Sequence, residues 1–271
     1  MAQPVVGSIS RPSSALLLRD RLVVLGSLGA VTALAWAYLA WSATTMTGTA
    51  APSSMGMMGL HSWEFADLVL AFLMWTIMMV GMMVPTAAPM TMIYAAVARK
   101  AEGQGTVLAP TSTFVSGYVA VWTLFSLVAT IAQWGLDRAA LLSPMMVATS
   151  PALGATLLIA AGVYQLTPAK AACLRHCRSP VNFIAQHWRS GALGAFRMGL
   201  EHGAFCLGCC WLLMGLLFIG GVMNLLWIAA IALFVLLEKV VPRAPLAGQL
   251  AGGAMMLTGL ALLATWFWPA G

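Results

Sequence analysis

The sequence predicts an all-α fold, a polytopic transmembrane helical bundle in which residues 1–271 form a single domain. Three observations support this prediction. First, 61% of the residues are hydrophobic and only 7% are charged. Second, the apolar residues occur in long runs, whereas a transmembrane barrel would show short alternating segments. Third, the basic residues fall in alternate connections between those runs, as in helical membrane proteins.

Seven of these runs are long enough to cross a bilayer as helices. They cover about residues 22–42, 66–98, 113–135, 151–168, 199–220, 223–240 and 247–268. The second run contains Pro85 and Pro89, which predict a kinked helix. Basic residues precede the first run, which lacks a small-residue cleavage pattern, so we expect it to be retained. If it were cleaved as a leader, six spans would remain.

The basic residues also predict the orientation of the chain. With the N-terminus inside and the C-terminus outside, every Lys and Arg except Arg138 lies on the cytoplasmic side. This pattern is typical of a multi-pass protein of the inner (cytoplasmic) membrane, with anionic lipid headgroups of the bilayer as its first partners. The net charge of +6 is explained in the same way and does not indicate a nucleic-acid partner.

The fifth apolar run opens with an unusual set of side chains. His202, Cys206 and Cys209 share one helical face, and Cys210 lies at its edge. Ionisable groups inside hydrocarbon are costly and mark a functional site by default. One imidazole and two or three thiols predict a site for a soft metal ion. The alternative is that the cysteines pack as small apolar residues.

A second cluster, Cys173, His176 and Cys177, follows the fourth run on the same predicted cytoplasmic side. Neighbouring Lys and Arg residues favour the thiolate forms of these cysteines, which raises their affinity for metal. The cytosol is reducing and argues against structural disulfides. The alternative is a basic loop that sets topology and carries incidental cysteines. The metal-site interpretation requires the two clusters to converge around one ion.

Methionine is abundant, with 19 residues in the chain. Met74, Met78 and Met82 recur on one face of the second run, and thioethers bind Cu(I) but not hard ions. A further set in the outer loop extends this possible metal path, namely Met55, Met57, Met58 and His61. The methionines favour copper(I) as the metal, with zinc as the alternative that suits Cys and His. Simple packing by flexible methionines is the competing interpretation.

Two carboxylates lie close to the predicted hydrocarbon. Glu201 is one turn from Arg197 and is expected to pair with it. Glu238 is expected to pair with a basic residue of another helix. Structural pairing is therefore the favoured role of both side chains.

Three segments, residues 74–90, 164–180 and 202–214, resemble a bacterial family of predicted metal-binding integral membrane proteins, a domain of unknown function. The resemblance covers about residues 70–242. It implies a multi-pass membrane fold and metal binding through the Cys/His motifs, at Cys173, Cys177, His202, Cys206 and Cys209. The chain carries Glu201 where relatives usually have a basic residue, which argues against a catalytic role at that position.

The preferred hypothesis is a metal-binding membrane protein that handles Cu(I), by transport or by delivery at the inner face. Its expected partners are the metal ion and either a soluble metal chaperone or another membrane subunit. One alternative is a membrane thiol–disulfide oxidoreductase that uses Cys206 with Cys209 and Cys173 with Cys177. Another is a non-catalytic subunit of a larger membrane assembly. We assign no catalytic residues, so a role other than catalysis is favoured.

Overall fold

A computed structural model describes residues 14–48, 63–102, 110–143, 146–241 and 244–267. Within these ranges the chain forms ten helices and no strand beyond one isolated bridge between Leu142 and Ala148. The predicted all-α class is therefore confirmed for this part of the chain. The helices are α1 Ser14–Gly48, α2 Phe65–Glu102, α3 Thr111–Arg138, α4 Pro151–Gln165, α5 Pro168–Arg178, α6 Pro180–His187, α7 Gly191–Gly215, α8 Leu217–Gly220, α9 Leu225–Val240 and α10 Ala244–Phe267.

Five segments among the described residues are long and apolar enough to cross a membrane: α1, α2, α3, α7 with α8, and α10. Helices α4 and α5 meet at an angle of 65° and add a sixth if they are counted as one broken span. Helix α9, the predicted sixth run, has 16 residues, fewer than the roughly 20 that span a hydrocarbon core without tilt or thinning. These lengths fit a membrane protein, while the seven-span count and the orientation stay predictions.

Helix α2 runs without interruption through Pro85 and Pro89, so neither proline ends it. Prolines act differently in the connection that follows α4. Thr167 caps α5 with its hydroxyl, which accepts a hydrogen bond from the Lys170 N–H, and Pro168 occupies the first turn. Pro180 likewise occupies the first turn of α6. The stretch between the fourth and fifth apolar runs is therefore largely helical.

Helices α3 and α7 approach so closely that their backbones touch. A Cβ atom added to Gly199 would lie 2.1 Å from the carbonyl oxygen of Phe114, and one added to Gly117 would lie 2.2 Å from that of Phe196. Only glycine allows this distance, in the manner of small-residue contacts between membrane helices. The close approach sets the face of α7 that carries the cysteines against Tyr118 of α3.

Helices α5 and α6 pack at the end of the bundle where α2 finishes and α3 and α7 begin. Tyr94, Phe114, Phe183 and Met198 form a buried cluster there. We call this the basic end, because Arg99 and the Arg residues of α5 and α7 also lie there. At the opposite end, the indole N–H of Trp63 donates to Asp137 at 2.6 Å. A second and larger core cluster, between the two ends, contains the thiols and most of the buried methionines.

Candidate metal site

The structure brings four of the five cysteines together. Cys206, Cys209 and Cys210 are buried on α7. The thiol of Cys177, which belongs to α5, interacts with those of Cys206 and Cys209. We call these four residues the thiol cluster. Because α7 begins at Gly191 rather than near Gly199, the cluster lies well inside the helix and not in its first turns.

Cys206 is the centre of this arrangement. Its Sγ lies 2.8 Å from the Nζ of Lys239 and 3.0 Å from the hydroxyl of Tyr118. Lys239 also donates to the hydroxyl of Thr86 at 3.0 Å, and the Tyr118 hydroxyl donates to the carbonyl of Met83. Side chains from α2, α3, α7 and α9 thus meet at one sulfur. The ammonium of Lys239 places positive charge where a thiolate ligand would carry negative charge.

The thiols of the cluster are collected but are not arranged around a common point. The Sγ atoms of Cys209 and Cys210 each donate to the carbonyl of Cys206 at 3.0 Å. Among the described residues, no group of three or more His, Cys, Asp or Glu side chains has metal-binding geometry. Metal binding would therefore need rotation about χ1 that turns these thiols away from the carbonyl. Such a rotation moves side chains between staggered positions and leaves the helix intact.

Two of the predicted ligands lie at the edge of the thiol cluster. The Sγ of Cys173 packs on the backbone of Gly208, where an added Cβ would be 2.8 Å away. The ring of His176 stacks on Phe205 with centroids 4.0 Å apart, and its Nδ1 is 3.0 Å from the carbonyl of Ala172. The sequence grouped both residues with Cys177. Cys173 lies one turn before Cys177 on the same face of α5, so its thiol reaches the backbone of Gly208 beside Cys209, and the ring of His176 packs on Phe205 instead.

His202 is buried in the bundle, with 3% of its surface exposed. Its ring stacks on Tyr118 and Phe114 at centroid distances of 5.5 and 6.1 Å. Its Nδ1 has no hydrogen-bond partner in the described part of the chain. An unpartnered buried nitrogen one turn before Cys206 is available as a further metal ligand.

The methionine stripe of α2 is buried in the same core cluster as the thiols. Met74, Met78 and Met82 are at most 6% exposed. Met74 also lines a cavity at the end opposite to the basic end, together with Met146 and Met223. The predicted outer-loop set of Met55, Met57, Met58 and His61 lies outside the described residues.

Sequence reasoning did not identify Met146 or Met223 as part of the site. The amide of Gln133 donates to the sulfur of Met146 at 3.4 Å, and Met146 has a φ of +56°. A left-handed conformation is uncommon for methionine and persists when surrounding contacts fix it. Nothing in the sequence signals that these two loop residues meet at the end of α2. Lys239, by contrast, shows the signal of an ionisable residue inside an apolar run.

Both predicted carboxylate pairings are present. Glu201 accepts from Arg189 at 3.0 Å and lies 3.6 Å from Arg197, as its spacing predicted. Glu238 forms a buried ion pair with Lys170 of α5, at 2.7 Å. These contacts occupy the two carboxylates structurally.

The amino-acid sequence matches the model of one known protein family. The model of the PpoB2 copper chaperone family matches residues 72–262, well over half of the chain. The chain belongs to the PpoB2 copper chaperone family. The matched region includes the whole thiol cluster, Lys239 and the methionine stripe, so the family supports a copper-related function for the protein that carries them. No match was found among curated proteins or solved structures.

Proposed function

We propose that this protein binds Cu(I) at the thiol cluster inside a membrane-embedded helical bundle and hands it on from there. The observation that carries the proposal is the convergence of Cys177 from α5 with Cys206 and its neighbours on α7, beside Lys239. The family match supports copper as the metal. In this proposal the chain is a carrier of the ion, and no chemical step on a substrate is required.

The donor set suits Cu(I). Thiolates are soft ligands, and Cu(I) accepts them in preference to carboxylates or water. Cys177, Cys206 and Cys209 supply sulfur, with Cys210 and the free Nδ1 of His202 as further donors. The core around them is apolar and tightly packed, which excludes water and protects the thiols and the reduced ion.

Charge favours a monovalent ion. Two thiolates around Cu(I) leave one negative charge, which the ammonium of Lys239 neutralises at Cys206. The same two thiolates around Zn²⁺ are already neutral, so Lys239 would leave an uncompensated positive charge in an apolar core. Zinc becomes comparable only if a third thiolate joins the site. Lys239 thus supports copper over zinc at a two-thiolate centre.

The methionines provide a route to the cluster. The cavity lined by Met74, Met146 and Met223 opens at the end opposite to the basic end. From there Met78 and Met82 follow at one-turn intervals, which places neighbouring side chains roughly 5–6 Å apart. Thioethers bind Cu(I) more weakly than thiolates, so the ion would move toward the stronger donors. The proposed direction is from this cavity to the thiol cluster and then to an acceptor at the basic end.

Copper content tests the proposal. The full chain, purified in detergent under reducing and anaerobic conditions, is dialysed against Cu(I), and the metal per chain is measured by elemental analysis. We expect Cys206→Ser and Cys209→Ser to lose the copper that the thiol cluster binds. Cys173→Ser is the matched control, since its Sγ packs on Gly208 outside the thiol cluster. The copper content of the unmodified protein in both cluster variants would contradict the proposal.

The oxidoreductase alternative requires different chemistry at the cysteines. It needs a reversible disulfide, whereas all five cysteines are free and two of the thiols donate to the Cys206 carbonyl. A mixed disulfide trapped in a Cys209→Ala variant, together with metal-free protein after dialysis, would replace the copper proposal with this one.

A further inference from the structure

Two histidines lie side by side at the basic end, next to the thiol cluster but outside it. His176, on the last turns of α5, and His187, at the end of α6, have ring centroids 6.4 Å apart and planes at 74°. Both side chains are half-buried, so one side of the pair remains open to small solutes. His187 has no role in the function proposed above.

Each ring is held in one tautomer by its own helix. The Nδ1 of His176 is 3.0 Å from the carbonyl of Ala172, and the Nδ1 of His187 is 3.0 Å from the carbonyl of Phe183. A carbonyl can only accept, so Nδ1 carries the proton in both rings. The Nε2 atom is then the one with a free lone pair, which is the arrangement that a metal-binding histidine uses.

Aromatic stacking fixes the position of both rings. His176 lies flat on Phe205, with planes at 2° and centroids 4.0 Å apart. His187 lies flat on Phe183, with planes at 13° and centroids 4.6 Å apart. Phe183 and Phe205 also contact each other, at 6.2 Å. The two imidazoles are therefore held against a rigid apolar wall and lose little conformational entropy when they bind a ligand.

The separation of the rings fits one ion between them. A bound metal lies about 2.0 Å from an imidazole nitrogen, so two rings on opposite sides of one ion have centroids about 6 Å apart. The observed 6.4 Å matches this two-coordinate arrangement when the two Nε2 atoms turn toward each other, and the arrangement sets no limit on the angle between the ring planes. Two neutral nitrogen ligands in a linear arrangement suit Cu(I), because this ion is stable with only two donors.

We propose that His176 and His187 form a second metal site, which binds one Cu(I) ion in two-coordinate geometry through their Nε2 atoms. The residue after His176 is Cys177 of the thiol cluster, so an ion at the histidine pair is one residue from the deeper thiols. The pair is at the surface and its neutral ligands bind Cu(I) less tightly than thiolates do. It is thus suited to exchange copper with an acceptor outside the bundle.

The ligand type distinguishes the two sites. The full chain is dialysed anaerobically against Cu(I) kept in solution by acetonitrile, and X-ray absorption at the copper edge then separates nitrogen from sulfur neighbours. We expect both kinds in the unmodified protein. The double variant His176→Phe with His187→Phe keeps the stacking on Phe205 and Phe183, and it should lose about one copper per chain and the two-nitrogen signal. The sulfur signal should stay.

Gln186→Phe is the control, because it adds a phenyl ring at an exposed position beside His187 and leaves both imidazoles in place. It should keep the two-nitrogen signal. Retention of that signal in the double variant, or its loss in Gln186→Phe, would overturn the histidine site. If the unmodified protein shows the nitrogen signal but no sulfur signal, the thiol cluster is contradicted instead. Failure of the histidine site and failure of the thiol cluster can therefore be told apart. Circular dichroism of each variant checks that the helices are intact.

Discussion

The Nζ atom of Lys170 lies 2.7 Å from Oε2 of Glu238, and both side chains are almost fully buried. This contact joins α5, which carries Cys177, to α9. The next residue of α9 is Lys239, which contacts Cys206 of α7. The amide of Gln165 donates a further hydrogen bond to Glu238. Two consecutive residues of α9 therefore contact both of the helices that supply thiols.

Replacement of Glu238 by glutamine should destabilise the protein and displace Cys177. The change leaves the ammonium of Lys170 buried without a counter-ion, which costs about 3–5 kcal/mol. Thermal unfolding in detergent measures the loss. Glu201→Gln is the control, because its pairs with Arg189 and Arg197 are partly exposed and such pairs contribute about 1 kcal/mol or less. Similar losses in the two variants would show that the buried pair does not clamp α5.

Replacement of Lys239 by methionine should weaken Cu(I) binding. The ammonium lies 2.8 Å from Cys206, and a hydrogen bond to a charged group contributes about 1.5–3 kcal/mol, so the affinity should fall by roughly tenfold to a hundredfold. Anaerobic competition with a coloured Cu(I) chelator measures this change. Lys239→Arg keeps the charge and should retain most of the affinity. If the methionine variant binds zinc more tightly and copper less tightly than the unmodified protein, the charge argument is supported. Unchanged affinities for both ions would refute it.

Replacement of Met78 by leucine should slow the loading of copper without unfolding the bundle. The two side chains have similar volumes, so the expected loss of stability is below about 1.5 kcal/mol. Copper uptake into proteoliposomes should be several-fold slower, because one thioether of the stripe is missing. Met79→Leu is the control, since Met79 is equally buried but lies on another face of α2. Equal uptake by both variants would mean that the stripe only packs.

Replacement of Gly199 by alanine should separate α3 from α7. The new Cβ would lie 2.1 Å from the carbonyl oxygen of Phe114, and overpacking of this kind costs about 1–3 kcal/mol or more. The control is Gly135→Ala on α3, where nothing lies within 4 Å and alanine is the better helix former. The unfolding temperature of Gly199→Ala should be lower than that of the unmodified protein. The unfolding temperature of Gly135→Ala should be equal to it or higher. The reverse order would contradict the close approach of the two helices.

The long apolar helices could be predicted from the sequence because hydrophobicity alone defines them. The apolar run at 113–135 lies within α3, and the run at 247–268 matches α10 as far as Phe267. The short helices α5 and α6 are harder to predict because they are brief and less apolar, although Thr167 with Pro168 is a helix-start signal.

The proposed ligands on α7 could be grouped from the sequence because their spacing is local to one helix. Cys206 and Cys209 needed only the helical period. Tyr118 was not predictable, since a single tyrosine in an apolar run has no distinguishing pattern. The meeting of Met146 with Met223 depends on how separate helices pack, which the spacing of residues along one chain does not encode. His187 was likewise unremarkable until α6 brought it beside His176.

Helix α5 leaves the direction of α4 at 65°, so Cys177 reaches the thiol cluster from the side. The three thiols of α7 share one backbone, so only rotation of their side chains changes the distances between them. Cys177 instead sits on an eleven-residue arm that turns at Thr167. A small outward swing of the arm would withdraw one sulfur and lower the coordination number of a bound ion, opening a vacancy for an incoming thiolate. In the function proposed above, release of the ion would then start at this hinge, and it would also require the buried Lys170–Glu238 pair to open.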